Sequence, residues 1–474
     1  MTKIDRLSRR RFIRSTALLS SIFLPGVGRI QAIPAHIQNS RDYEGRLCFN
    51  ENPLGPAPLA QTAIEETASM AHRYPDYFST ELESTIAGIH GVDADMICVG
   101  AGATEVIRLI ADAFLNPGDE LITATPTYFQ MSYDATTNGA STVHIPVDEN
   151  FVIDLDLVLA AITENTKIIS LVNPNNPLAT IIHKDDMNAF MNAIPEGVIV
   201  VVDEAYHHYV QSEDYESCIQ YVQAGLPVIV LRTFSKAYGL AGARIGYSIA
   251  SQELTDQIDS TQLFGTVSRM SQAAALAAID DTSHLESSVN LNTMAKIVLA
   301  NGFASLGLSY IPSESNFMMV DVGIEAAPIR ASLANMGYLV RTGWDMPNYL
   351  RVSTGTMTEI NGFLDALESL LVVGVSGNTE IPQQFALQSI SPNPFNARCR
   401  IDLSIAEPGQ TKLTVYDLLG RNIKSLLNSS LKPGRHEFFW NGKDSFGNPV
   451  ASGVYYLVLL QGELAATQRI TLLK

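Results

Sequence analysis

An α/β domain with a mainly parallel sheet, followed by a small antiparallel β-sandwich, is the architecture this 474-residue chain predicts. Apolar, β-branched runs alternate with helical periods through the body of the chain. A polar or glycine-rich motif stands directly after each run, where sheets of this class gather ligands. Beyond residue 385 the pattern changes to short alternating strands separated by Gly- and Asn-rich turns.

The first forty residues are set apart by charge. Ser8-Arg9-Arg10-Arg11-Phe12 precedes a mildly apolar run from Ser15 to Val27. This order resembles a twin-arginine export signal, with cleavage between Ala32 and Ser40; the alternative is a basic amphipathic N-terminus with no targeting role. The run is too short and interrupted for a stable membrane span. The resemblance implies a protein folded before translocation and then exported to the periplasm, cell surface or medium. A formal charge of -18 argues against nucleic acid or an anionic membrane as partner. Cys48, Cys98, Cys218 and Cys399 lie far apart without metal-ligand spacing, so they read as buried or isolated thiols, and no metal site is expected.

Five runs read as buried parallel strands: Ile97 to Val99, Leu121 to Ala124, Ile168 to Val172, Val198 to Val202 and Val228 to Leu231. Helical periods intervene at Thr104 to Phe114 and Asp185 to Ala193. After Val99 comes GAGATEV, a small-residue turn opening a helix; its free N–H groups suit a phosphate, although such turns are often only tight turns. After Ala124 comes TPTYF with Tyr128, and after Val172 NPNNP with Asn176. After Val202 comes DEAY with Asp203 and Tyr206, and after Leu231 RTFSKAYGLAGARIGY with Ser235, Lys236 and Arg244. A lone Lys in a loop is usually a solvated charge, and an Asp-Glu pair more often caps or binds metal. Five polar anchors at successive strand ends are not explained that way.

The ordered motifs NENPLGP (Asn50 to Pro56), RYPD (Arg73 to Asp76), NPNNPLA (Asn173 to Ala179), DEAY, TFSKAYGLAGARIGY (Thr233 to Tyr247) and RVSTGT (Arg351 to Thr356) resemble those of the fold type I pyridoxal-phosphate enzymes. The match is specifically to the histidinol-phosphate aminotransferase branch of the class I/II aminotransferases, over about residues 45 to 370. It implies a large domain with a mainly parallel sheet plus a smaller α+β domain, together spanning residues 41–373.

The resemblance also implies roles. Lys236 would carry pyridoxal 5′-phosphate as a Schiff base and shuttle the substrate proton. Asp203 would pair with the pyridine nitrogen, and Asn176 and Tyr206 with the ring oxygen. Tyr128 would stack on the ring. Ala103, Thr104, Ser235 and Arg244 would hold the phosphate. Tyr74 would reach the phosphate of a neighbouring subunit, so a homodimer is expected. Arg351 would clamp a substrate carboxylate, with Asn52 and Arg341 as further substrate contacts.

Two departures stand out. Leu178 and Ala179 replace the family's Thr-Gly, which bears on the substrate side, and Ala103-Thr104-Glu105 replaces a Ser-Asp-Glu-like run. His207 and His208 are read as partly exposed bystanders. The expected reaction moves an amino group between a small-molecule amino donor, an amino acid or related amine, and a 2-oxo acid acceptor. The alternatives are a lyase, decarboxylase or racemase on the same scaffold, or an exported binding protein that merely keeps the fold.

After a helical pattern at Ile360 to Val373, residues 374–385 read as a polar linker. Residues 386–474 then predict an antiparallel β-sandwich, with Ile401, Leu403 and Ile405 alternating. The order SPNPFN, VYDLLGR, WNGKD and SGVYY resembles a type A sorting domain of the type IX secretion system. It is also similar to the immunoglobulin-like domain of flagellar hook-capping proteins; a generic adhesion module is the alternative, in which Trp440 and Phe439 serve a core. Export machinery would then engage both termini.

Overall fold

The computed structural model describes residues 43–375, 385–417, 422–461 and 464–473. The basic N-terminal region and residues 376–384 of the linker lie outside the described residues. The chain divides into two compact units at Leu370 and Leu371.

In the first unit, the short β1 (Gly45–Arg46) leads into seven strands that form one sheet: β2 (Ile97–Gly100), β3 (Glu120–Thr125), β4 (Ser141–Pro146), β5 (Thr166–Val172), β6 (Ile199–Asp203), β7 (Val228–Thr233) and β8 (Gly246–Ile249). Their order is β2-β8-β7-β6-β5-β3-β4. Pairing is parallel from β7 through β6, β5 and β3 to β4. Successive side chains of β6 face opposite layers, as a period of two requires. Val200 and Val202 join a core with the helix Lys184–Ala193 through Met187 and Phe190. Val201 joins the opposite core with the helix Ala103–Phe114 through Val106 and Ile110. Burial on both faces is why these strands read as continuous Val/Ile runs.

All five expected strands are present, with one correction. Ile97 to Val99 makes no parallel pairing: its partner is β8, which runs antiparallel to both β2 and β7. The strand β8 was not anticipated because it is four residues long and begins at a glycine. The edge strand β4 was missed because half its residues face solvent and it ends in proline.

The remainder of this unit is the smaller α+β part. Strands β9 (Ser309–Ile311), β10 (Phe317–Asp321), β12 (Arg341–Gly343) and β13 (Met346–Ser353) form an antiparallel sheet, while β11 (Tyr338–Leu339) pairs with β1. The long helix Thr282–Ser305 and the helices Ala326–Asn335 and Met357–Val375 accompany it.

The second unit holds two antiparallel sheets. One contains β14 (Ala386–Ser391), β15 (Cys399–Ile405) and β18 (Gly434–Trp440). The other contains β16 (Gly409–Asp417), β17 (Asn422–Leu431), β19 (Gly453–Gln461) and β20 (Leu464–Leu472). Their inner faces share a core of Ile401, Leu403, Leu413, Val415, Trp440 and Leu457. Trp440 is 1% exposed and donates its indole N–H to Lys443 O (2.9 Å). Phe439 departs from the expected core role. The alternation of β18 turns it outward, where the Arg398 guanidinium covers its ring at 3.6 Å. All four cysteines are free and buried.

One buried ion pair joins the two central strands where the site motifs begin. Glu204, directly after β6, is fully buried and accepts from Arg232 Nε of β7 (2.9 Å), with Arg232 Nη2 in ion-pair contact at 2.7 Å. It also accepts from Ser217 Oγ (2.8 Å) and Cys218 N (2.6 Å). Removing one partner strands the other charge in the interior, which costs about 3–5 kcal/mol. Glu204→Ala should therefore lower the unfolding free energy by about 3–5 kcal/mol, seen as a lower denaturant midpoint, with Glu204→Gln intermediate because its amide oxygen still accepts. Equilibrium unfolding of the three chains checks this.

Candidate active site

A cavity of about 360 Å³ opens at the carboxyl ends of β5, β6 and β7. It is lined by Ala103, Thr104, Ser235 and Arg244 at one end. Tyr128, Asn176, Asp203, Tyr206 and Lys236 line the middle, and Arg341 and Arg351 lie beyond them. Eleven of the thirteen residues singled out from the sequence thus share one cavity.

The first end is built by backbone. The helix Ala103–Phe114 starts after Gly102 (φ +86°) with no side-chain cap, leaving its first N–H groups for a ligand. A β-carbon at Gly102 would run into Arg244 Nη2, and one at Gly246 would collide with Ala103 N. Arg244 adopts φ +57°, uncommon for a side chain of its size. From there Nη1 donates to Ala241 O (3.1 Å) and Ser235 Oγ (3.4 Å). Ser235 is held in turn by its N–H to Thr233 Oγ1 (3.1 Å).

In the middle, β6 delivers Asp203 to the cavity floor at 7% exposure. Its Oδ1 accepts the Ala205 N–H (3.0 Å). Burial pushes its pKa up to about 6, opposed by that hydrogen bond and by Lys236. Lys236 Nζ donates to Phe49 O (3.1 Å). Burial and then the Arg351 charge lower its pKa to about 8, so roughly a tenth of the amine is uncharged at pH 7, far more than for a free lysine. Tyr206 Oη accepts from Asn50 Nδ2 (3.0 Å) and Asn176 Nδ2 (3.3 Å). Both lone pairs are then used, and the hydroxyl proton remains to be donated. Burial raises the Tyr206 pKa to about 12, which keeps that proton in place. Tyr128 completes this stretch, its phenol hydrogen-bonded with Thr104 and its pKa raised by burial.

At the far side Arg351 is 3% exposed. It donates to Asn176 Oδ1 (2.6 Å) and Cys48 O (2.9 Å), both neutral, and its Nε has no partner among the described residues. Burial lowers its pKa to about 10. Cations dominate the lining: Arg46, Lys236, Arg244, Arg341 and Arg351 against Glu51 and Asp203.

Two sequence-derived residues lie elsewhere. Asn52 is a correction: its amide donates to Ala237 O (2.8 Å) and Ser288 Oγ (2.8 Å), and its Oδ1 accepts from Leu54 N (3.0 Å). It fastens the loop that carries it. Asn50, two residues earlier, was missed and faces the cavity instead; its φ of +56° turns the chain there, and Ser353 Oγ donates to its Oδ1 at 2.8 Å. The NENP motif held both residues, and only the backbone turn decides between them. Tyr74 is 78% exposed and outside the cavity of its own chain. Leu178 and Ala179 do not line it either: Leu178 packs with Ile311 and Met319, and Ala179 takes φ +66°, the conformation that favours glycine. His207 and His208 are half-buried, and burial lowers their pKa values to about 2 and about 3.

These features fit pyridoxal 5′-phosphate. The uncapped helix start with Ser235 and Arg244 suits a phosphate, and the buried carboxylate of Asp203 suits a protonated ring nitrogen. Tyr206 has a proton to give to a ring oxygen, and Lys236 offers an amine of lowered basicity within the same cavity.

Two expectations follow. A protonated Lys236 destabilises the folded apoprotein wherever pH lies below its folded pKa of about 8. That cost fades as pH rises towards the unfolded value of 10.5. Lys236→Met apoprotein should be more stable than wild type at pH 7, and the advantage should shrink between pH 8 and 10.5 in denaturant titrations. Gly102→Ala should weaken coenzyme retention about 5–150-fold, since its β-carbon would push the Arg244 guanidinium aside or force the positive-φ turn to shift, a strain of about 1–3 kcal/mol. Equilibrium dialysis measures it.

Comparison with known proteins agrees with this geometry. Residues 45–367 match the family Aminotransferase class I and II, and residues 396–461 match the FlgD Ig-like domain. The histidinol-phosphate aminotransferase of Moorella thermoacetica is 38% identical over 329 residues, covering 69% of this chain and 85% of the relative. That of Caldicellulosiruptor saccharolyticus is 38% identical over 328 residues, covering 69% and 91%. A solved histidinol-phosphate aminotransferase from Sinorhizobium meliloti in complex with pyridoxal-5′-phosphate superposes with a TM-score of 0.68 at 29% identity. The superposition covers 79% of this chain and 99% of that one. A matched family spanning most of the chain, and a cavity whose groups suit its coenzyme, lead to one conclusion: this chain belongs to the pyridoxal-phosphate-dependent class I and II aminotransferases.

Proposed function

We propose that this aminotransferase takes its amino group from an amine or amino acid that carries an anionic group, and passes it to a 2-oxo acid. The observation that carries this reading is Arg351: a buried guanidinium with two neutral acceptors and an idle Nε, beside Arg341. A carboxylate or phosphate entering between them would supply the missing negative charge. Histidinol phosphate, the compound in the relatives' names, is an amine of this kind.

The bound coenzyme supplies an electron sink for the carbanion formed when the substrate carbon loses its proton. The chain's residues do the rest. Lys236 Nζ, uncharged in part near neutrality, takes that proton and returns it. Asp203 would hold the coenzyme's ring nitrogen protonated. Tyr206, held by Asn50 and Asn176, would give a hydrogen bond to the ring oxygen. Ser235, Arg244 and the helix start at Ala103 and Thr104 would anchor the phosphate, and Tyr128 would cover the ring.

The active form is proposed to be a homodimer, as is typical of the family. Tyr74, Phe78, Leu263 and Phe264 are 61–78% exposed on one chain, and Phe78 stacks edge-on against Phe264 at 5.6 Å. An apolar aromatic patch of this kind marks an interaction surface, and it would bring Tyr74 to the partner's coenzyme phosphate. The two ends of the chain are proposed to direct export, the N-terminal basic segment as a twin-arginine signal and the β-sandwich as a type IX sorting domain. Support for the latter is the FlgD Ig-like match together with the motif order noted above.

The decisive experiment is a single-turnover reaction with candidate donors. Stoichiometric amino transfer to the enzyme, with recovery only on adding a 2-oxo acid, supports transamination. Continued turnover on a single substrate would assign a lyase, decarboxylase or racemase instead. Arg351→Ala should raise KM for an anionic donor about 10–150-fold, the range for losing a hydrogen bond to a charged group worth about 1.5–3 kcal/mol. Fractionating cells that express the chain with and without residues 386–474 tests the sorting role; unchanged surface and medium levels would refute it.

A further inference from the structure

The hairpin joining β12 to β13 carries a residue that the chemistry above leaves unused. Gly343 pairs with Met346, so Trp344 and Asp345 are its two-residue turn, with φ +60° and +58°. That is the turn geometry which favours Asn-Gly, and a tryptophan there is strained. Strain of this kind persists where surrounding contacts enforce it. Here the contacts are specific. The indole ring lies 5.1 Å from Arg351 Cζ and 5.6 Å from Arg341 Cζ. Beneath it lies the cluster of Leu178, Ile311 and Met319, with Leu178 fully buried.

Arg341 and Arg351 are like charges in one cavity, paired across the two strands, and the Arg341 charge adds to burial in lowering the Arg351 pKa. Left alone they would move apart or swing to solvent. The negative face of an aromatic ring attracts a guanidinium, most strongly where water is excluded, and indole is the best of the rings for this. One indole near two guanidiniums therefore offsets their repulsion without neutralising either, and both remain able to bind an anion.

We propose that Trp344 is a positioning residue that fixes the spacing of the Arg341 and Arg351 guanidiniums, and so selects the size of the anionic group a substrate can carry. This rests on the reading of the two arginines as the substrate's anion site. Leu178 acts through Trp344, as one of the three buried residues of the cluster against which the indole packs. The departure from the family's Thr at this position thereby reaches the substrate without Leu178 lining the cavity.

The chain has two tryptophans, Trp344 and Trp440, and Trp440 is buried in the second unit. Emission of the coenzyme-loaded protein minus that of Trp344→Phe isolates the residue of interest. Titrating with inorganic phosphate should change this difference saturably, because the loaded coenzyme occupies the other phosphate site. Trp344→Ala should raise both the phosphate Kd, followed by equilibrium dialysis, and the donor KM about tenfold, as a desolvated cation–π contact implies. Its kcat should stay within about threefold. Trp344→Phe should recover most of the loss, and Leu178→Ala should shift KM in the same direction by less. Raised KM and Kd in Arg351→Ala, with both unchanged in Trp344→Ala, would overturn the role of Trp344 alone. Failure of Trp344→Phe to recover binding, or lost kcat and stability at constant KM, would likewise reduce it to packing. If Arg351→Ala also leaves both constants unchanged, the anion site itself falls, and the proposal with it.

Discussion

The geometry of the site depends on how the ends of β6 and β7 are held together. Asp203, Tyr206 and Lys236 arrive on two adjacent strands and must meet within tenths of an ångström. Backbone pairing brings the strands side by side, and the Glu204–Arg232 pair locks the point where they stop being strands. A buried ion pair is a weak source of stability compared with an apolar pair of similar volume. What it supplies is directional: three donors converge on one carboxylate, and Arg232 Nη2, in ion-pair contact with it, also donates to Ser217 Oγ (2.9 Å). The strand ends can shift only by breaking several bonds at once. An apolar contact would tolerate sliding.

Much of this was legible in the amino-acid order because the large sheet is buried on both faces. Double burial forces uninterrupted Val and Ile runs, so β5, β6 and β7 announce themselves, and the polar residues after each run stand out against them. Residues whose placement depends on a backbone turn were not legible. Asn50 and Asn52 are chemically identical and two positions apart; a left-handed φ at Asn50 sends one to the cavity and the other into a loop. Trp344 looks like a turn residue in TGWDMP, and its two arginine neighbours are brought there only by the β12–β13 pairing. Phe439 and Trp440 are adjacent aromatics, and the strand period alone decides which is core.

The departures at Leu178 and Ala179 show how one local change is absorbed. Ala179 occupies a left-handed conformation with its side chain packed against Tyr206 and Phe317, so the loop keeps a shape that glycine would adopt more cheaply. Leu178 fills space beneath the hairpin of the smaller part. Neither substitution disturbs Asn176, whose Nδ2 and Oδ1 are spent on Tyr206 and Arg351. The amide links the coenzyme side of the cavity to the substrate side through a single planar group, and a shift of either neighbour is felt by the other.

The excess of cations around the cavity has a consequence for the life of the chain. With Arg46 paired to Glu51, the remaining cations Lys236, Arg244, Arg341 and Arg351 face Asp203, and their mutual repulsion eases when an anion arrives. The coenzyme phosphate is such an anion, and any ligand that binds only the native state raises its stability with the logarithm of free ligand concentration. Depletion of the vitamin from which the coenzyme is made would then do more than idle the enzyme. It would shorten the protein's lifetime against proteases, so that its abundance tracks the supply of its own cofactor.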